Sequence, residues 1–129
     1  MKAVHNFTTG TGSTFKLALY DNTPSFTAAT TAYTAAGEVS ASGTYSAGGG
    51  ALTNVTPTSS GTTAYTDFAD LSFTSATITA YGAMIYNDSA AGDPSVCILD
   101  FGGAKTSTAG TFTIIFPTDD ATNAILRIA

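Results

Sequence analysis

The chain has 129 residues, with 4 Lys+Arg against 9 Asp+Glu and a formal net charge of −5. Its 25 Thr, 22 Ala, 13 Gly and 12 Ser make up 72 of the 129 residues, and only 10% of the chain is charged, against roughly 25% in ordinary soluble domains. The acidic balance excludes nucleic acid as a partner, because phosphate neutralisation needs clustered Lys and Arg. No apolar run approaches the ~20 residues that span a bilayer, so no membrane segment is expected.

Leu, Ile, Val and Phe together number only 25, but 8 Phe and 6 Tyr accompany the low charge. Disorder calls for the opposite: high net charge and few aromatics. A single folded domain with a thin, aromatic-rich core is expected, covering residues 15–129 and preceded by a flexible arm over residues 1–14. That N-terminus lacks an apolar stretch of roughly 7–15 residues, so no secretory signal is expected.

Taken in chain order, alternation with period two dominates and helical periodicity is scarce. Phe15, Leu17 and Leu19 alternate with Lys16, Ala18 and Tyr20, which predicts a half-buried strand ending at Asn22-Thr23-Pro24. Residues 27–62 carry few anchors, chiefly Tyr33, Val39, Tyr45, Leu52 and Val55. Irregular chain is expected there, with short strands near 43–46 and 52–55 and room for a helical turn at 31–37. Residues 63–68 repeat the strand pattern weakly. From Ala76 it is clear, with Ala76, Ile78 and Ala80 on one face and Thr77, Thr79 and Tyr81 on the other. Beyond Gly82 bulky residues fall on both faces, which marks Gly82 as a bulge or bend.

The last third holds three apolar runs, at 96–101, 111–116 and 124–128, each bounded by Gly, Pro, Asn, Asp or the chain end. Breaks are expected at Asp93-Pro94, Gly102-Gly103, Ala109-Gly110 and Pro117-Thr118-Asp119-Asp120, and the final run should tie the C-terminus into a sheet. The total is seven or eight short strands, an all-β chain folded as an antiparallel β-sandwich, jelly-roll-like or Ig-like. Thr would cover its outward faces, where a β-branched side chain suits the pleat.

Candidate chemistry is sparse. Cys97 is the only cysteine, so no intramolecular disulfide or multi-Cys metal site forms, and its apolar setting reads as a buried small side chain. His5 is the only histidine, and nothing marks a Ser to complete a triad with it. Gly10-Thr11-Gly12-Ser13 lacks the Lys of a phosphate loop. Asp67, Asp70, Asp88, Asp93, Asp119 and Asp120 sit beside turn-forming or small residues and follow no Ca²⁺ loop pattern. No catalytic residue, metal or cofactor is expected. Sequons at Asn6, Asn54 and Asn87 carry little weight, since with 37 Ser and Thr in the chain its 5 Asn produce one or two by chance. Tyr33, Tyr45, Tyr65 and Tyr81 suit core packing first and sugar stacking second.

The run Thr31-Ala32-Tyr33-Thr34-Ala35-Ala36-Gly37-Glu38-Val39 leads into Gly43-Thr44-Tyr45 and Gly48-Gly49-Gly50-Ala51-Leu52. Tyr65-Thr66-Asp67-Phe68-Ala69-Asp70, Ala83-Met84-Ile85-Tyr86-Asn87, Leu99-Asp100-Phe101-Gly102 and Ala124-Ile125-Leu126-Arg127-Ile128 follow. Together they resemble small virion structural proteins of tailed bacteriophages, over most of the chain and without a single diagnostic motif. The resemblance implies a non-enzymatic protein of the virion, assembled in the host cytoplasm. Capsid cement or decoration in many copies is the leading expectation, with the major capsid protein, other virion proteins and further copies of the chain as partners. A tail or neck fibre, or an adhesin module reading a host glycan, is the alternative. On the leading reading Phe7 and His5, in the expected arm, are the candidate subunit contacts.

Overall fold

The computed structural model describes residues 4–129. Its strands are β1 Phe15–Tyr20, β2 Gly50–Ala51, β3 Thr58–Ser60, β4 Thr63–Thr66, β5 Leu71–Asn87, β6 Ser95–Ile114 and β7 Leu126–Ile128. They form two antiparallel sheets, ordered β2-β1-β5-β6 and β3-β4-β7. The fold is all-β with about seven strands, consistent with a small β-sandwich. Among the described residues there is no helix, so the helical turn allowed at 31–37 does not form; a single tight turn, with Glu38 N–H donating to the Ala35 carbonyl, takes its place. Where strands were expected near 43–46 and 52–55, only the isolated bridges Ser42–Tyr45 and Asn54–Phe68 occur, with β2 lying between them.

Alternation places Phe15, Leu17 and Leu19 of β1 in the main core, with Phe68, Phe73, Ile78, Ile85 and Phe112. The other face of β1 was expected to meet solvent. Instead Ala18 and Tyr20 join Met84 and Tyr86 in a second cluster, covered by Phe26, Tyr33 and Ile98. The chain between β1 and β2 folds back over that face, so β1 is buried on both sides.

Two strands are long, 17 residues in β5 and 20 in β6, which corrects the expectation of uniformly short ones. The apolar runs 96–101 and 111–116 fall largely in the single strand β6. The glycines between them act as bulges rather than turns: residues 101–104 of β6 stand opposite Tyr81 alone, between the pairs Ala80–Lys105 and Gly82–Asp100. Gly102 and Gly103 supply the positive φ values, 70° and 146°, that this excursion requires. Ala109, with φ 46°, marks a second irregularity, between the pairs Ala76–Gly110 and Ile78–Ser107. At Gly82 the β6 backbone approaches closely, since a Cβ there would stand 2.6 Å from the Leu99 carbonyl oxygen. From that point Ala83 and Ile85 face the main core while Met84 and Tyr86 face the second cluster.

At the C-terminus β7 pairs with β4 through Ala64–Ile128, Tyr65–Arg127 and Thr66–Leu126. The chain end is therefore tied into a sheet, as its apolar run predicted.

The N-terminal segment departs from a free arm. Residues 1–3 lie outside the described residues, but Phe7 stacks on Phe15 with ring centroids 4.7 Å apart and meets Phe68 edge-on. The Gly12 and Ser13 N–H groups donate back to Thr8 and Asn6 carbonyls, and the Thr9 hydroxyl donates to the Asn54 carbonyl. Residues 4–14 are thus part of the domain, held by aromatic packing and by polar groups that satisfy their backbone.

Candidate functional site

His5 and Phe7, the expected subunit contacts, face inward. The His5 ring lies against Phe7 and Phe15, with Nδ1 3.3 Å from the Asn87 amide nitrogen. Burial lowers its pKa below the usual histidine value. Asn87 is fully buried, donates to the Val4 carbonyl and accepts from the Ser89 N–H and hydroxyl. Both residues anchor their own chain.

The tyrosines divide. Tyr45 is buried, accepts from the Leu19 N–H at 2.9 Å and donates to Glu38 Oε1 at 2.7 Å. Tyr33 stacks on Tyr86 and donates to Glu38 Oε2 at 2.6 Å, while the Gly48 N–H donates to Oε1 at 2.7 Å. Tyr86 donates to the Gly48 carbonyl and Tyr20 to the Thr34 carbonyl. Desolvation, with Glu38 close by, pushes the Tyr20 phenol up to about 12 and raises Tyr33, Tyr45 and Tyr86 as well. Glu38 therefore pins the loop that covers β1, and Tyr33 and Tyr45 are not free to stack on a ligand. Sequence reasoning missed this hub, because no local pattern links Glu38 to Tyr33, Tyr45 and Gly48.

Tyr81 remains half-exposed on the outward side of β5, lining a hollow of about 250 Å³ with Phe26, Asp21, Asn22 and Asp100. Tyr65 is half-buried on β4.

The aspartates serve backbone geometry. Buried Asp67 accepts from the Phe68 N–H at 2.8 Å and the Ile125 N–H at 3.3 Å, linking the entry of β7 to the end of β4. Desolvation raises its pKa, opposed by those N–H groups, with Asp119 and Asp70 adding to the rise. Asp70 accepts from the Phe116 N–H, Asp100 from Gly102, and Asp120 from Thr122 and Asn123. Asp88 pairs with Lys16 at 3.1 Å on the surface. No group of three potential metal ligands occurs among the described residues. Cys97 is half-buried, and burial pushes its thiol up to about 11, away from the reactive thiolate.

The most distinctive surface is the β5–β6 ribbon. Its outward face carries hydroxyls paired to one another, Ser72 with Thr113 at 2.9 Å and Thr79 with Thr106 at 3.1 Å. Along β6 a groove of about 550 Å³ is lined by Phe101, Lys105, Phe112, Ile114 and Ile115. Ile115 is 77% exposed at its rim.

No protein family, curated protein or solved structure matches the chain.

Proposed function

We propose that this chain is a non-enzymatic structural protein held against neighbouring protein chains. In the form that the sequence resemblance implies, it is a capsid cement or decoration protein of a tailed bacteriophage, bound in many copies. The observation that supports this reading is the hydroxyl-paired, nearly uncharged outer face of the β5–β6 ribbon. Covering an ionised side chain costs several kcal/mol, whereas hydroxyls already bonded to one another give up little when water leaves. Such a face is cheap to bury, and it is unlike the roughly 25–35% charged surface that suits a free domain.

Quantitative mass spectrometry of purified particles, with cryo-electron microscopy of their surface, tests the reading. Many copies in a regular array on the capsid are expected. Absence from the particle would overturn it, and a handful of copies at one vertex would indicate a neck or fibre protein instead.

A second reading, glycan recognition by an adhesin module, is favoured by the hollow at Tyr81, where an aromatic ring adjoins Asp21, Asn22 and Asp100. Saturable binding to a glycan array, abolished by Tyr81→Ala, would favour it.

A further inference from the structure

The segment before β1 is held at both ends by one corner of the fold, the end of β5 and the turn that follows it. Asn87 Nδ2 donates to the Val4 carbonyl at 2.7 Å, the Asp88 N–H donates to the Thr14 carbonyl at 2.9 Å, and the Thr14 N–H donates to Ser89 Oγ at 3.0 Å. Between these ends Asn54 Nδ2 donates to the Ser13 carbonyl at 3.0 Å, and Phe7 packs on Phe15 and Phe68.

Asn87 is fully buried, and its orientation is fixed by backbone groups that have only one role. The Val4 carbonyl can only accept, so it faces the amide nitrogen; the Ser89 N–H can only donate, so at 3.1 Å it faces Oδ1. The amide nitrogen has a second N–H to give, and His5 Nδ1 lies 3.3 Å away to take it. A ring nitrogen that accepts carries no proton, so this contact selects the neutral imidazole with its hydrogen on Nε2. A proton on Nδ1 would set one N–H against another. Asn87 has no way to turn and relieve the clash, because turning would leave both the Val4 carbonyl and the Ser89 N–H unpaired.

The surroundings offer a charged ring little in exchange. His5 lies against Phe7 and Phe15, with ring centroids 6.1 and 5.9 Å away. Burial lowers its pKa, a backbone hydrogen bond at Ser95 opposes the lowering, and the amino-terminal charge adds to it. The charged side chains on the neighbouring elements are Lys16 of β1 and Asp88, paired with each other at 3.1 Å, and Asp93 in the turn between β5 and β6. A hollow of about 420 Å³, lined by His5 with Val4, Thr31, Pro94 and Ser95, opens beside the ring and gives solvent protons a path to it.

We infer that His5 is the acid-sensitive catch of an N-terminal latch: when Nδ1 takes a proton, its contact with Asn87 is lost and residues 4–8 release from the domain, uncovering Phe15 and Phe68. Because the latched ring binds a proton less readily than a released one, the latch is at full strength above pH 6.5 and weakens as pH falls below that value. The latch does not depend on what covers the β5–β6 ribbon.

Amide hydrogen exchange of the full chain, read as protection factors by NMR, tests the latch between about pH 7.5 and about pH 5, where a histidine changes charge. Protection of the Asn6, Thr9 and Ser13 amides, whose bonds hold the segment in place, should fall about threefold or more while that of β5 is maintained. His5→Gln still offers an acceptor to Asn87 but does not titrate, so its protection should stay level over the same range. His5 is the only histidine, so its imidazole signals are unambiguous. Their nitrogen-15 shifts should place the hydrogen on Nε2 at neutral pH, and ring protonation should accompany the loss of protection. Hydrogen on Nδ1, protection of the wild-type segment that does not change, a fall in protection while the ring stays neutral, or an equal fall in His5→Gln overturns the latch. Should circular dichroism show that His5→Gln does not fold, the wild-type ring and amide titrations decide by themselves.

Discussion

Tyr45 and Glu38 meet at 2.7 Å, hydroxyl to carboxylate, and through that contact the loop after β1 is fastened to the strand it covers. The same Tyr45 oxygen accepts from the Leu19 N–H, so a side chain fills a place in the sheet that no strand occupies. Glu38 also receives Tyr33 and Gly48, and one carboxylate thus satisfies three donors. Replacing it by Ala strands those donors at a partly dry site. Glu38→Ala should lower the unfolding free energy by about 2–4 kcal/mol, and Glu38→Gln by about 1–2, read from urea denaturation. An unchanged midpoint would show that the loop is held by apolar packing alone.

The phenols around this carboxylate fix the alkaline limit of stability. Tyr20, Tyr33, Tyr45 and Tyr86 all have folded pKa values above the ordinary 10.0. Below pH 10 they are neutral in both states and their contribution is fully present. As pH rises beyond 10 the unfolded chain releases protons first, so stability falls toward the folded values, about 12 for Tyr20. Tyrosinate absorbance should therefore show these four ionising together with loss of near-ultraviolet circular dichroism, not before it.

Asp67 acts at the other end of the pH scale. Its folded pKa is raised above 3.8 by burial, so its contribution is greatest below pH 3.8 and declines as pH climbs through the raised value. Exposed Asp21 and Asp120, held below 3.8 by hydrogen bonds from Thr23 and from Asn123 and Thr122, work in the opposite sense. Comparing Asp67→Asn with the parent chain across this window should remove the declining part of the profile. Asp67→Ala, which unpairs the Phe68 and Ile125 N–H groups, should cost about 2–4 kcal/mol at neutral pH.

Deleting residues 124–129 removes β7 and exposes the pairing edge of β4. Calorimetry should show a clear fall in melting temperature; an unchanged value would mean that the three-stranded sheet adds nothing to the core.

Gly82→Ala tests the close approach of β6 to β5 at this position. A methyl group there would stand 2.6 Å from the Leu99 carbonyl oxygen, whereas at Gly61 it would meet nothing within 4 Å. The first substitution should cost about 2–4 kcal/mol and the second about 1, the latter only because Gly61 has a φ of 59°. Equal midpoints for the two variants would contradict the tight approach.

Strand positions were legible in the sequence where alternation was regular and both ends were marked: β1, the Ala76–Ile78–Ala80 face, Gly82 and the C-terminal strand. The reading failed where one residue type has two uses. Gly102-Gly103 reads equally as a turn or a bulge, and only the register of β5 against β6 distinguishes them. The candidate contacts His5 and Phe7 stand in a polar segment whose sequence shows no anchor, yet Phe7 packs on Phe15 of β1 and on Phe68, in the link between β4 and β5. The bonds from the Asn54 and Asn87 amides to the Ser13 and Val4 carbonyls, and from Tyr33 to Glu38, left no local trace, since each joins residues five to eighty-three positions apart.

By itself, the sequence determined the all-β class, a thin aromatic core and outward faces made of threonine, because period-two alternation and composition are properties of the chain read locally. Tertiary structure decided the rest: two-sided burial of β1, fusion of two apolar runs into β6, and docking of residues 4–14. Each depends on which backbone groups find partners across the fold, and a hydrogen bond between distant residues is settled only when the chain closes on itself.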